Sequence, residues 1–225
     1  MFSDTAVVLA AGRGTRMGCS GSKCLVPING EPLLGYVIDG LLKEGAEKFI
    51  FVLGYDANEV LKFIRETHVD YKAVSQPEQK GIANAILQVE ESVEDRFVVQ
   101  LGDCLNLNGR FDYPNNLELG YGVWADAYTK YMNQGCRAVV SHKGIVVSVH
   151  EKPDTAYPGI GTYFLDKRIF PLIRKAKPSA LRNEIEISDI LNDLPVGSLK
   201  AVPFCGDFVN CTTKQDIEYA EKLLK

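Results

Sequence analysis

The chain has 225 residues, of which 46% are hydrophobic and 24% charged, the composition of an ordinary globular protein with one substantial core. A net charge of −4 argues against a general nucleic-acid binder. Six scattered cysteines with no Cys-x-x-Cys pair argue against a zinc module, and no apolar run approaches the roughly 20 residues that span a bilayer, so a reduced, cytoplasmic setting away from the membrane is expected.

Thr5-Ala6-Val7-Val8-Leu9-Ala10 is apolar, β-branched and of strand length, which predicts a buried parallel strand. Gly12 and Gly14 follow, and residues without a Cβ let a backbone turn sharply and aim its N–H groups at an anion. Arg16 can fork onto phosphate oxygens and Lys23 can add a point charge, so the stretch predicts a polyphosphate site. Glycines at Gly12, Gly14 and Gly18 are spaced one residue too long for the dinucleotide fingerprint, and Lys23, between Ser22 and Cys24, does not fit a Walker A loop.

Apolar residues at 33, 34, 37, 38, 41 and 42 predict a helix ending near Gly45. Residues 49–53 read as a second buried strand, 58–66 as a helix, 71–74 as a strand, 81–89 as a helix and 97–101 as a strand. This alternation predicts a parallel α/β sheet with right-handed crossovers. From Leu105 the run Asn106, Asn108, Gly109, Pro114, Asn115, Asn116 reads as loop. Short strands at 121–127, 137–140 and 144–149 then predict an antiparallel extension, followed by a strand at 159–165 and helices at 167–176 and 186–194. Two strands, 199–204 and 208–211, and a helix at 213–224 opened by Thr213 and Asp216 close the chain. No repeat or linker divides it, so one domain over 1–225 is expected.

Ligands in an open parallel sheet bind outside the carboxyl ends of the strands, where further candidates fall. The Gln76 carboxamide can donate and accept in one plane, matching a pyrimidine edge. Asp103, after the apolar run ending at Leu101, offers the hard oxygen that Mg²⁺ takes beside substrate phosphates. Glu151 can accept from two neighbouring sugar hydroxyls, and Lys152 can balance a substrate phosphate. Taken singly, each has a plain reading: a helix-capping glutamine, a turn aspartate, a solvated ion pair.

Together these motifs resemble the sugar-1-phosphate nucleotidyltransferases, whose pattern is Gly-x-Gly-Thr-Arg, a spacer, then Pro-Lys. Here it reads Gly12-Arg13-Gly14-Thr15-Arg16, then Lys23, with Ser22 where the family usually has proline. The resemblance runs in family order from Leu9 to Asp216. It implies a Rossmann-like mixed α/β sheet, mostly parallel at its core with a small antiparallel sugar-binding extension. Residues 1–104 would be the nucleotide-binding half and 105–225 the sugar-phosphate-binding half. Leu9, Ala11, Gly12, Gly14, Thr15, Gln76 and Gly81 would then bind the nucleotide, and Arg16 and Lys23 would be catalytic. Asp103 would hold Mg²⁺ together with Asn210, in a segment similar to the family's Trp-Ile-Asp/Asn. Glu151-Lys152-Pro153 is similar to the family's Glu-Lys-Pro, and Glu151, Lys152 and Gly161 would bind the sugar phosphate. Segments 161–164 and 183–189 resemble those of glucose-1-phosphate enzymes. The asparagine that some uridylyltransferases place two residues before the glycine is Gly159 here.

The implied reaction is Mg²⁺-dependent transfer from a nucleoside triphosphate, UTP or dTTP favoured by Gln76, to a sugar 1-phosphate, giving an NDP-sugar and pyrophosphate. Its nucleophile is a phosphate oxygen already ionised at neutral pH, so no side-chain base is required, in keeping with histidines 68, 142 and 150 forming no triad. Three rivals remain: a cytidylyltransferase acting on phosphocholine or another alcohol phosphate, a non-catalytic nucleotide-binding regulatory subunit, and a dehydrogenase, which the glycine spacing disfavours. At this length, the left-handed β-helix domain of bifunctional relatives, and with it a second acyltransferase activity, is not expected. The oligomeric state is open, a homo-oligomer included.

Overall fold

A computed structural model of the protein describes residues 2–12, 14, 21–125, 136–151, 157–179 and 183–225. Strand β1 (Thr5–Ala10) leads into the glycine-rich loop, whose far end is a 3₁₀ turn at Lys23–Leu25. A small hairpin, β2 (Pro27–Ile28) and β3 (Glu31–Pro32), turns at Asn29 and Gly30, both with positive φ (50° and 92°), as a two-residue hairpin loop demands. Helix α1 (Leu33–Lys43) ends on Gly45 at φ 91°, where Gly45 N–H bonds Leu42 O and Ala46 N–H bonds Leu41 O, so the glycine supplies the left-handed cap.

β4 (Lys48–Leu53), α2 (Ala57–Glu66), β5 (Asp70–Ser75), α3 (Ile82–Leu87) and β6 (Arg96–Leu101) continue the expected alternation. β1 lies parallel to both β4 and β6, and β4 is parallel to β5, so the order β5-β4-β1-β6 forms the parallel core. Its strands bury both faces. Ala6, Val8, Phe49 and Phe51 pack with α1 and α2, while Val7, Ile50 and Val52 pack with α3 and the helices over 169–175 and 187–192, which is why these strands read as unbroken apolar runs.

The rest of the chain extends the same sheet. β7 (Cys104–Phe111), β8 (Leu119–Trp124), β9 (Cys136–Val140), β10 (Val146–Glu151) and β11 (Tyr157–Asp166) precede α4 (Ile169–Lys175) and α5 (Ile187–Asn192), and β12 (Leu199–Asn210) and α6 (Lys214–Leu223) close the chain. β11 runs antiparallel to β6, and the order continues β11-β8-β12-β7, with the β9–β10 hairpin attached to β11. One ten-stranded mixed sheet therefore crosses both halves of the chain. At the start of α6, Thr213 Oγ1 accepts from Asp216 N–H and the Asp216 carboxylate accepts from Thr213 N–H, forming the expected cap.

Two expectations are corrected. Residues 105–111 are strand rather than loop, because β7 pairs with β12 along its length and absorbs Asn108 and Gly109 in a bulge. The two closing strands are one, β12, which carries Pro203 and Gly206 within it.

Candidate active site

The chain places β4 and β5 on one side of β1 and then crosses to lay β6 on the other, so the strand order reverses between β1 and β6. At such a switch point the loops leaving the carboxyl ends diverge and open a crevice. A cleft of about 240 Å³ lies there, walled by Leu9, Ala11 and Gly12 from β1 and its loop and by Leu101 and Asp103 from β6. Gln76, Gln79, Gly81 and Glu184 close it on the side of α3, and Lys23 stands on the 3₁₀ turn.

Close backbone approach builds the floor. Gly102 N–H bonds Leu9 O at 3.0 Å, and a Cβ on Gly102 would lie 2.8 Å from that oxygen and 2.9 Å from Cys24 Sγ. Gly54 approaches Ala11 as tightly, with a Cβ placed 2.8 Å from Ala11 Cβ. Ala11 O accepts from Tyr55 N–H at 3.2 Å and from the Gln79 carboxamide, which pins the β1 loop to the loop after β5.

Lys23 Nζ forms an ion pair with Asp103 Oδ2, and the lysine side chain is only 12% exposed. A cation and a carboxylate thus meet where the β1 loop faces the end of β6. The loop carrying Lys23 is held by Asp56, whose Oδ2 accepts from Ser22 N–H at 3.1 Å. Ser22 has φ −61° and ψ 133°, the conformation that proline would impose.

Gln76 is 5% exposed, and both hydrogens of its Nε2 are used, one on Gly81 O at 3.3 Å and one on Asn84 Oδ1 at 2.9 Å. Its Oε1 accepts from no donor among the described residues and is the free end of the carboxamide. Gly81 has φ 97°, and a Cβ there would meet Ile185 O at 2.7 Å, so only glycine fits.

Three buried thiols surround Asp103. Burial, with the Asp103 carboxylate adding to it, pushes the Cys24 thiol up to about 12, and the same two causes raise Cys104 and Cys211. Protonated thiols are poor nucleophiles, so covalent cysteine chemistry has no support here.

The structure brings together Leu9, Ala11, Gly12, Lys23, Gln76, Gly81 and Asp103 in one cleft. Gly14 follows Gly12 on the same loop with φ 64°. Asn210 stands in register with Cys104, and the next N–H, of Cys211, bonds Asp103 O at 2.9 Å, so Asn210 neighbours Asp103 without lining the cleft. Gly161, at φ 70°, packs where a Cβ would meet Cys104 Sγ at 2.7 Å. Glu151 ends β10. Thr15, Arg16 and Lys152 lie outside the described residues, as does the Glu151 side chain. A Cβ at Gly159 would fall 1.9 Å from Tyr121 Oη, so Tyr121 leaves no space for an asparagine there. Gln79 and Glu184 line the cleft without being singled out by the sequence, although Gln79 lies within the Gln76–Gly81 stretch and Glu184 within segment 183–189, and Asp56 and Asn84 support it from outside its lining.

Among the described residues no group of three or more His, Cys, Asp or Glu could hold a metal, and no helix is long and apolar enough to cross a membrane. Mg²⁺ takes one or two protein oxygens and completes its shell with water and phosphate, so the Asp103 carboxylate beside Asn210 has the donor chemistry for it.

Residues 6–111 match the MobA-like NTP transferase domain. The UTP–glucose-1-phosphate uridylyltransferase AglF of Haloferax volcanii is 31% identical over 98% of this chain and 96% of its own length. Among solved structures, a putative glucose-1-phosphate thymidylyltransferase from Bacillus anthracis, in complex with a sucrose, superposes with a TM-score of 0.80 at 23% identity, over 97% of this chain and 94% of that one. The inositol-1-phosphate CTP transferase from T. maritima also gives 0.80, at 20% identity, over 100% and 96%. The likeness to AglF over nearly the whole of both chains, on a fold whose switch-point cleft gathers Gly12, Lys23, Gln76 and Asp103, makes this chain a nucleotidyltransferase of the sugar-1-phosphate nucleotidyltransferase family.

Proposed function

We propose that the protein joins UTP or dTTP to a sugar 1-phosphate, glucose 1-phosphate foremost, releasing pyrophosphate. The observation that carries this reading is the convergence of Lys23, Asp103 and the open Oε1 of Gln76 on one cleft at the β1/β6 switch point. The activity of AglF as a UTP–glucose-1-phosphate uridylyltransferase, over 96% of whose length this chain aligns, supports UTP and glucose 1-phosphate.

The base would lie against Gln76 and Gly81, with the uracil or thymine N3–H donating to Gln76 Oε1. The triphosphate would then run along the loop from Ala11 to Lys23. A phosphate oxygen of the sugar 1-phosphate attacks the α-phosphorus in line, a P–O bond forms, and the bond to the β-phosphate oxygen breaks with pyrophosphate leaving. No proton has to be removed from the nucleophile. The work is orientation and neutralisation of charge. Lys23, released from Asp103, holds the α-phosphate as charge shifts, and Arg16 holds the triphosphate. Asp103 and Asn210 would hold Mg²⁺, which supplies Lewis-acid neutralisation of the reacting phosphates. Glu151, Lys152 and Gly161 would receive the sugar phosphate.

The test measures pyrophosphate release with the five common nucleoside triphosphates crossed with several sugar 1-phosphates. UTP or dTTP with glucose 1-phosphate is expected to give the highest rate, dependent on Mg²⁺. Lys23→Ala is expected to lower turnover by a factor on the order of 10²–10³, the range for loss of one transition-state donor. Wild-type turnover in that variant, or no pyrophosphate release with any sugar phosphate, overturns the reading, and the second result favours a binding subunit.

A further inference from the structure

We propose that Asn84, a residue outside the cleft lining, is a positioning residue that sets the base preference by fixing which end of the Gln76 carboxamide faces the nucleotide. The proposal rests on the nucleotide reading above and deepens it from a base-contacting glutamine to the reason that glutamine can present only one face.

A carboxamide can be turned end for end, and a freely turning Gln76 would serve a base with a donor at N3 or one with an acceptor there. The partners decide the matter. Gly81 O can only accept, so the nitrogen of Gln76 must face it, at 3.3 Å. The second hydrogen of that nitrogen then points at Asn84, which meets it with Oδ1 at 2.9 Å. Asn84 is the third residue of α3, and Asn84 O accepts from the Gln88 side chain at 3.0 Å, so its stretch of helix is itself tied down. With both hydrogens of Gln76 used, the cleft sees only an acceptor. Uracil and thymine carry N3–H and can donate to it. Cytosine carries a lone pair at N3, and once the base has displaced water from the carboxamide oxygen, two acceptors face to face leave both without a partner.

Of the two bonds that hold the carboxamide, the one to Asn84 is the shorter. Removing that acceptor leaves only the long bond to Gly81 O, an oxygen that keeps Ala85 N–H as a donor at 3.1 Å when the carboxamide turns, and Nε2 can then donate to cytosine N3. A role for Asn84 in folding alone would weaken both nucleotides together. A role in orientation changes their ratio.

The experiment measures the affinity of the full chain for UTP and for CTP by calorimetry, without sugar phosphate, for the wild type, Asn84→Leu and Asn84→Asp. Leucine has the size of asparagine and no acceptor, whereas aspartate keeps the acceptor and adds a charge that lowers both affinities alike. The wild type and Asn84→Asp are expected to prefer UTP by the same factor, and Asn84→Leu to lose about tenfold of that preference, the worth of one buried hydrogen bond. An unchanged UTP-to-CTP ratio in Asn84→Leu overturns the proposal, as does a wild type that binds CTP as tightly as UTP. If Asn84→Leu does not fold, Asn84→Ala, which also lacks the acceptor, takes its place, and an unchanged UTP-to-CTP ratio there overturns the proposal while a reduced one supports it. Wild-type binding of UTP with no transfer to any sugar 1-phosphate would instead remove the proposed reaction and leave the base preference standing. Binding of neither nucleotide overturns both.

Discussion

Ser22 occupies the position before the site lysine where the pattern this chain resembles carries proline, and it shows how one residue can reach the same geometry by another route. Its φ of −61° is the value a pyrrolidine ring enforces, so the backbone is already where proline would hold it. Proline has no N–H, whereas Ser22 gives its own to Asp56 Oδ2 at 3.1 Å. In this chain a hydrogen bond to Asp56, the N-cap residue of α2, replaces the ring's rigidity. Ser22→Pro exchanges one restraint for the other: a gain of about 0.4–1 kcal/mol from the stiffer unfolded chain offsets a lost bond of similar size. It is expected to change the unfolding free energy by less than about 1 kcal/mol. Asp56→Ala removes the acceptor and leaves the N–H of a residue 2% exposed without a partner, a loss of about 1–3 kcal/mol. Urea unfolding of the two variants checks this, and a greater loss for Ser22→Pro than for Asp56→Ala would refute it.

Strands β7 and β12 show where local sequence runs out as a guide. Asn108 and Gly109 carry turn-forming chemistry, and Asn108 does adopt φ 54°, yet the backbone spends that turn as a bulge inside a strand. Between the pairs Cys205↔Arg110 and Asp207↔Leu107, residues Asn108 and Gly109 oppose Gly206 alone. The two glycines permit the contact, since a Cβ on Gly109 would lie 2.1 Å from Cys205 O and one on Gly206 would lie 2.7 Å from Gly109 Cα. A bulge is a relation between two strands about a hundred residues apart, and neither strand's own sequence carries it. The parallel core was legible because each of its strands is buried on both faces and so reads as an uninterrupted apolar run. Gly109→Ala is expected to destabilise the fold by about 1–3 kcal/mol, because a backbone oxygen cannot move aside as a side chain does. Gly40→Ala, on α1, is expected to do the reverse and stabilise by about 0.5–1 kcal/mol, since its Cβ would find only Asn106 O at an ordinary 3.6 Å and the helix gains a better former. Chemical denaturation of the pair measures both signs, and a stabilised Gly109→Ala would mean that β7 and β12 do not meet as described.

At the scale of the whole molecule, the sheet divides two apolar layers, and the site lies where its strand order reverses. That position was legible from the sequence only as motifs after successive strands: Gly12 after β1, Gln76 after β5, Asp103 after β6. The residues that hold those motifs in place, Asp56, Gln79 and Asn84, were not, because what each does depends on a partner set by tertiary packing. The same packing surrounds Asp103 with thiols, and this couples the site to global stability. Cys24 is buried, and burial first, then Asp103, holds its thiol at about 12 against an ordinary value of 9.0. Above pH 9 the unfolded chain gives up a proton that the folded chain keeps, so the unfolded state binds fewer protons and stability must fall as pH rises. The contribution is fully present below pH 9 and is lost progressively up to about pH 12, at about 1.4 kcal/mol per pH unit for this thiol within the window. Lysines and tyrosines titrate there too, so the test is a difference. Cys24→Ala lowers stability through a lost side chain by an amount that does not depend on pH, but it removes one ionising group from the unfolded state. Its unfolding free energy, measured in urea from pH 8 to 11, should therefore decline less steeply than that of the wild type above pH 9, with the two curves approaching one another. Parallel curves over that range would mean that the Cys24 thiol ionises as readily in the folded protein as in the unfolded chain, and that the floor of the cleft is open to water.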